Sequence, residues 1–130
     1  MGLKYLWDTN IVVYFLQNNF NRSGEKLIDN IATLYQPAIS VITEIELLCW
    51  KTTTPNELLQ LSSFITDSII FGLESEIKLK TAEIRKSYNI KLPDAIIGAT
   101  AIVMDLILIS NDRGFSQVAS LTLLNPFKTK

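Results

Sequence analysis

Five short apolar runs, Leu3 to Trp7, Ala38 to Ser40, Ser68 to Phe71, Leu106 to Ile109 and Leu121 to Leu124, are separated by longer stretches with helical periodicity. This alternation is the pattern of βαβ units. It constrains the chain to an α/β fold with a mainly parallel sheet covered on both faces, because parallel strands need long crossovers and those crossovers bring helices.

Asp8, Thr9 and Asn10 read as turn and N-cap material ahead of a helix over Ile11 to Leu16, followed by a polar loop from Asn18 to Gly24. Glu25 to Tyr35 carries Leu27, Ile28, Ile31 and Leu34 at helical spacing, and Gln36-Pro37 ends it. The next helix runs over Val41 to Trp50. Pro55 opens another with Leu58, Leu61 and Ile65, and Ser75 to Tyr88 puts Ile77, Ile84 and Tyr88 on one stripe. Asn89 to Pro93 is a linker, DAIIGATAIVM from Asp94 a helix rich in small residues, and Asn111 to Gly114 a turn. No repeat or interdomain linker interrupts residues 1 to 130, so a single domain is expected.

The chain contains no histidine. Ser-His-Asp and Cys-His nucleophile systems, imidazole-based ribonuclease chemistry and His-containing zinc sites are therefore excluded together. Cys49 stands alone, which fits a reducing compartment and reads as a buried small hydrophobe. A net charge of -1 excludes a general nucleic-acid coat. No apolar run reaches the roughly 18 residues a membrane span needs, so no membrane partner and a cytoplasmic location are expected.

Four acidic residues fall where open parallel sheets bind ligands, outside the carboxyl ends of the strands. Asp8 follows the first strand, Glu46 lies about two turns into the helix after Ala38 to Ser40, Asp94 opens the small-residue helix, and Asp112 lies just past LILIS. Asp8 and Asp94 are also ordinary helix-start residues, and Asp112 an ordinary turn residue. Glu46 is flanked by Ile42, Ile45, Leu47 and Cys49, so its face of the helix is expected to be half buried, where an unpaired carboxylate is expensive. Such a cluster persists at neutral pH only if protonated or neutralised by a cation. With oxygen ligands alone, the fitting metals are Mg²⁺ or Mn²⁺, and the chemistry they suit is phosphoryl transfer.

In order along the chain, YLWDTNIVVYFL, AISVITEIELL, KLPDAIIGATAI and ILISNDRGF resemble the four motifs of the PIN-domain nucleases, and particularly of the VapC-type ribonuclease toxins of toxin–antitoxin pairs. The resemblance covers nearly the whole chain. It implies a three-layer α/β/α sandwich and an endoribonuclease that hydrolyses RNA phosphodiester bonds with a metal-activated water. Asp8, Glu46, Asp94 and Asp112 match the catalytic acids, with Asp8, Asp94 and Asp112 as metal ligands for Mg²⁺ or Mn²⁺. Asn10, Thr43 and Ser110 match the neighbouring polar groups, Thr9 is read as structural, and Ser110 replaces the commoner threonine. Glu44 competes within the second motif, but it points about 200° around the helix from Glu46.

RNA approaching an acidic crevice needs cations at the rim. Lys78, Lys80, Arg85, Lys86 and Lys91 make the most basic segment and lead into Asp94, while Arg113 adjoins Asp112. Arg113, Lys91, Lys86 and Arg85 are the RNA-contact candidates. A homodimer and a cognate antitoxin protein are implied by the resemblance alone. Two other readings remain open. One is a catalytically inactive PIN-like module that binds RNA or protein. The other is an aspartyl-phosphate phosphatase or receiver-type protein, which the single Asp of Asp8-Thr9-Asn10 and the want of a convincing late-strand lysine disfavour.

Overall fold

The computed structural model describes residues 2–128. Its sheet is built from β1 (Tyr5–Trp7), β2 (Ala38–Ser40), β3 (Ile69–Phe71), β4 (Ile107–Ile109) and β5 (Leu123–Leu124). These stand in the order β3-β2-β1-β4-β5, and all four pairings are parallel. The helices are α1 (Thr9–Leu16), α2 (Arg22–Leu34), α3 (Val41–Leu48), α4 (Pro55–Asp67), α5 (Ser75–Ser87) and α6 (Leu92–Val103). Among the described residues no helix is long and apolar enough to cross a membrane.

Strand side chains alternate between the two faces of a sheet, and here the alternation separates two cores. Leu6, Ala38 and Leu108 join Ile77, Ile84, Ile97 and Phe115 on the α5–α6 side. Trp7, Ile39 and Ile109 join Ile11, Ile28, Leu47 and Leu61 on the side of α1, α2 and α4. Trp7 packs edge-on against Phe15 and Phe64, the geometry that aromatic quadrupoles favour. The result is the expected three-layer α/β/α sandwich.

Helices α1 to α4 begin where a side chain satisfies a free N–H of the first turn, whereas α5 and α6 begin after Glu74 and Lys91 without such a bond. Asn21 Oδ1 accepts from Gly24 N at 2.7 Å, Ser40 Oγ from Ile42 N at 3.1 Å, and Thr54 Oγ1 from Glu57 N at 3.1 Å. The Asn21 cap starts α2 at Arg22, inside the stretch read as loop from sequence. Helix α6 likewise starts at Leu92, with Pro93 in its first turn, so the linker ahead of it is shorter than expected. Every residue from Ala95 to Ala101 is buried. A helix apolar all round belongs in the interior, and α6 lies between the sheet and α5. Asp105 then takes a left-handed φ of 56°, a conformation that short polar side chains tolerate, and turns the chain into β4.

Two burial expectations are corrected on α3. Cys49 is exposed rather than buried, and Glu46 is exposed rather than half buried. The buried edge of α3 runs through Thr43 and Leu47, which turns Ile45 (51% exposed) and Leu48 (67% exposed) outward with them. On α4, Leu61 and Phe64 form the buried edge, and Leu58 stands outside it.

Candidate active site

From central β1 the chain builds outward through β2 to β3, then returns to place β4 on the other side. The point where strand order reverses therefore lies between β1 and β4, and the crevice opens beyond their carboxyl ends. Trp7 and Ile109 are in register at that edge. Asp8 and Ser110, the next residue in each strand, are consequently neighbours. The ladder continues into them, with Asp8 N donating to the Ile109 carbonyl at 3.0 Å.

Asp8 is only 6% exposed and both carboxylate oxygens are engaged. Oδ1 accepts from Thr9 N at 2.8 Å, capping α1, and Oδ2 accepts from the Ser110 hydroxyl at 2.7 Å. Ser110 Oγ in turn accepts from Asp112 N at 3.0 Å. One hydroxyl thus joins the first acidic segment to the last. Asp112 caps the 3-10 turn Arg113–Gln117, with Oδ1 accepting from Gly114 N at 2.8 Å.

Glu46 reaches the same edge from α3 through a neighbour read as structural from sequence. Thr9 Oγ1 donates to Glu46 Oε1 at 2.6 Å, and the buried Thr43 hydroxyl lies 3.0 Å from that Thr9 oxygen. A hydroxyl has one proton, so with Thr9 donating to the carboxylate, Thr43 is the donor to Thr9. Thr9 is therefore the residue that orients Glu46, a role its place at the start of α1 does not advertise. Asn10 stands exposed one position further on, and the hydrogen bonds of the site run through Thr9 instead.

Asp94 sits half-buried in the first turn of α6, where the helix dipole favours negative charge. With Asp112 it flanks a shallow recess of about 260 Å³ whose other walls are Asn89, Ile90, Lys91 and Gly114. Burial raises the Asp94 carboxyl above its ordinary 3.8, the charges of Asp112 and Glu46 add to the rise, and Lys91 opposes it. Asp8 rises from 3.8 to about 6, chiefly through burial. The hydrogen bonds from Ser110 and Thr9 pull the other way, and the charges of Asp94 and Asp112 push it up further. Asp94 is thus within electrostatic reach of the other three acids.

Among the described residues no three acidic side chains stand close enough to form a ready-made cation cage. The donor set nevertheless fits a hard divalent cation. All its atoms are carboxylate oxygens, two of the acids resist ionisation in the absence of compensating charge, and Glu46 and Asp112 are open to water. Mg²⁺ binds in this manner, through one or two carboxylates with retained waters rather than in an all-protein cage.

Of the basic candidates, Lys91 lies in the recess wall and Arg113 beside Asp112. Lys86 is exposed on α5. Arg85 donates from Nη1 to the Ile90 carbonyl at 2.6 Å, so one of its N–H groups holds the loop before Asp94. Gln117, which no sequence motif singles out, also reaches that loop from the 3-10 turn.

Curated proteins gave no match. Among solved structures, a Klebsiella pneumoniae toxin–antitoxin complex contains a similar chain, 26% identical with a TM-score of 0.71, the match covering 97% of this chain and 100% of that one. VapBC2 from Rickettsia felis, bound to a promoter DNA fragment, gives 24% identity and a TM-score of 0.77 over 95% and 98% of the two chains. DNA-bound VapBC from Salmonella typhimurium gives 22% and 0.78 over the same shares. The PIN-domain family model matches residues 5–121. With its four acidic segments gathered at one sheet edge and that match spanning most of its length, the chain belongs to the PIN-domain family, a family of nucleases.

Proposed function

We propose that this chain is a divalent-metal-dependent endoribonuclease, the toxin of a toxin–antitoxin pair, acting in the cytoplasm as a homodimer that a cognate antitoxin protein restrains. The observation that carries the reading is the approach of four carboxylates, from four separate segments, to one edge of a parallel sheet. Family membership and the likeness to chains of toxin–antitoxin complexes support it.

Asp8, Asp94 and Asp112 would hold Mg²⁺ or Mn²⁺. When bound, the cation supplies the positive charge that stabilises charge developing on a phosphodiester. The remaining roles belong to the protein. Asp8 is fixed by two hydrogen bonds and presents a rigid carboxylate. Glu46, tied through Oε1 to Thr9, keeps Oε2 to orient the attacking water. Lys91 and Arg113 stand at the rim to take flanking RNA phosphates, with Lys86 and Arg85 further along the same path.

The test is cleavage of a mixed cellular RNA pool by the purified chain with Mn²⁺ or Mg²⁺, beside an EDTA control and Asp94→Asn. Cutting that is lost in both controls, with Asp94→Asn still folded by circular dichroism, is the expected result. An Asp94→Asn variant that cuts as fast as the parent overturns the site assignment, and a chain that neither binds metal nor cuts belongs to the inactive binding-module reading.

A further inference from the structure

Asp94 and Asp112 line one recess, yet they arrive on segments with no strand pairing between them: the Asn89–Lys91 loop leading into α6, and the 3-10 turn after β4. Something must set the distance between these segments. Two of the hydrogen bonds that do so come from one side chain. Gln117 Nε2 donates to the Asn89 carbonyl at 3.1 Å and to the Gly114 carbonyl at 2.8 Å, so its single amide group holds the loop and the turn at once. Asn89 and Gly114 are themselves walls of the recess.

Two further contacts brace the same junction. Ala119 N donates to Tyr88 Oη at 3.3 Å, and Arg85 fixes the next carbonyl along, that of Ile90, from α5. Beneath it Phe115, 1% exposed, anchors the turn in the core. Gln117 itself is exposed.

We infer that Gln117 is a positioning residue, which sets the spacing of Asp94 and Asp112 by clamping the α5–α6 loop to the Asp112 turn. It touches no substrate and acts through the two carboxylates. The inference rests on the metal-site reading above. Residues that hold a metal's ligands in place commonly change affinity 10- to 100-fold when lost, whereas an exposed side chain with a purely structural role changes stability alone.

The test is Mn²⁺ affinity by isothermal titration calorimetry, with the metal-free melting temperature measured in chelator. It compares the parent chain, Asp94→Asn, Gln117→Met and Ser116→Ala. Methionine keeps the length of glutamine and removes the donors. Ser116→Ala removes a hydrogen bond inside the same turn, from Ser116 Oγ to the Arg113 carbonyl at 2.7 Å, without cutting the span to the loop. The expected result is Mn²⁺ binding weakened about tenfold in Gln117→Met, a metal-free melting temperature lowered by about 4 °C for the hydrogen bonds lost, and near-parent affinity in Ser116→Ala. Equal weakening in both variants, or parent-like affinity in Gln117→Met, overturns the positioning role while parent binding that is lost in Asp94→Asn keeps the metal site. A parent chain that binds no Mn²⁺ overturns both.

Discussion

Replacing Asp8 by asparagine should stabilise the metal-free protein at neutral pH, although it removes a residue of the proposed site. The Asp8 carboxyl titrates at about 6 in the fold against an ordinary 3.8. At about 1.4 kcal/mol per pH unit, the folded state disfavours the ionised form by about 3 kcal/mol. The sign follows from proton binding. Below 3.8 the group is protonated whether the chain is folded or not and costs nothing. Between 3.8 and 6 the unfolded chain releases its proton while the folded one retains it, and above 6 the whole penalty is present. Asparagine escapes it and keeps the geometry. Its Oδ1 still accepts from Thr9 N, and its amide can donate to Ser110 Oγ where the carboxylate accepted. Losing a charge at the start of α1 returns up to about 1 kcal/mol, which leaves a net gain of about 2 kcal/mol. For a chain of this size that is a rise in Tm of about 8 °C. Thermal unfolding followed by circular dichroism in EDTA, with Asp8→Asn and parent measured from pH 4 to pH 8, reads the effect. The gap should be widest near pH 8 and close towards pH 4. A gap independent of pH, or a variant less stable at pH 8, refutes the argument. Saturating Mn²⁺ should narrow the gap from the other side, because a cation held only by the folded parent stabilises it by about 2.7 kcal/mol at a hundred times its Kd.

Thr9→Val removes the hydroxyl that orients Glu46 and should slow RNA cleavage about tenfold, while Thr9→Ser retains the hydroxyl and stays within about threefold of the parent. Equal rates for the two variants would show that Glu46 needs no such anchor. Gly24→Ala places a methyl 2.7 Å from the backbone oxygen of Pro126 and 2.9 Å from the Asn21 carboxamide oxygen that caps α2. The Pro126 backbone must shift and the Asn21 cap must give way, and urea unfolding should report a loss of about 2 kcal/mol.

The sheet and its helices were legible because burial imposes its period on the residues. Ala38–Ser40 is a strand over the three residues its composition indicates, and Ile77 and Ile84 face the core as their spacing requires. The start of α2 was not, since Arg22, Ser23 and Gly24 bring no apolar residue to a pattern and only the Asn21 cap marks it. The acids at the strand ends could be found from topology alone. Their exposure could not. Around Glu46, Ile42, Ile45, Leu47 and Cys49 suggest a buried face, but only Leu47 of the four is fully buried and Ile45 and Cys49 stand outside with Glu46, because the contact of α3 with the fold passes through Thr43 and Leu47. Gln117 and Arg85 lie beyond sequence reading for a different reason. Gln117 finds a partner 28 positions away and Arg85 one across a loop, both on carbonyls, which every residue possesses and which therefore leave no trace in composition.

The hydrogen bond from Ser110 to Asp8 joins residues 102 positions apart. During translation β1 emerges first and waits at the centre of the sheet with one flank unpaired until β4 follows. A nascent chain released as far as α6 already displays Asp8, Glu46 and Asp94, but it has neither the hydroxyl that fixes Asp8 nor the fourth carboxylate. For an enzyme whose proposed substrate is RNA, this order matters to the ribosome that makes it. The proposed cutting edge takes shape only after residue 112 has left the exit tunnel, which delays its completion until β4 has paired with β1.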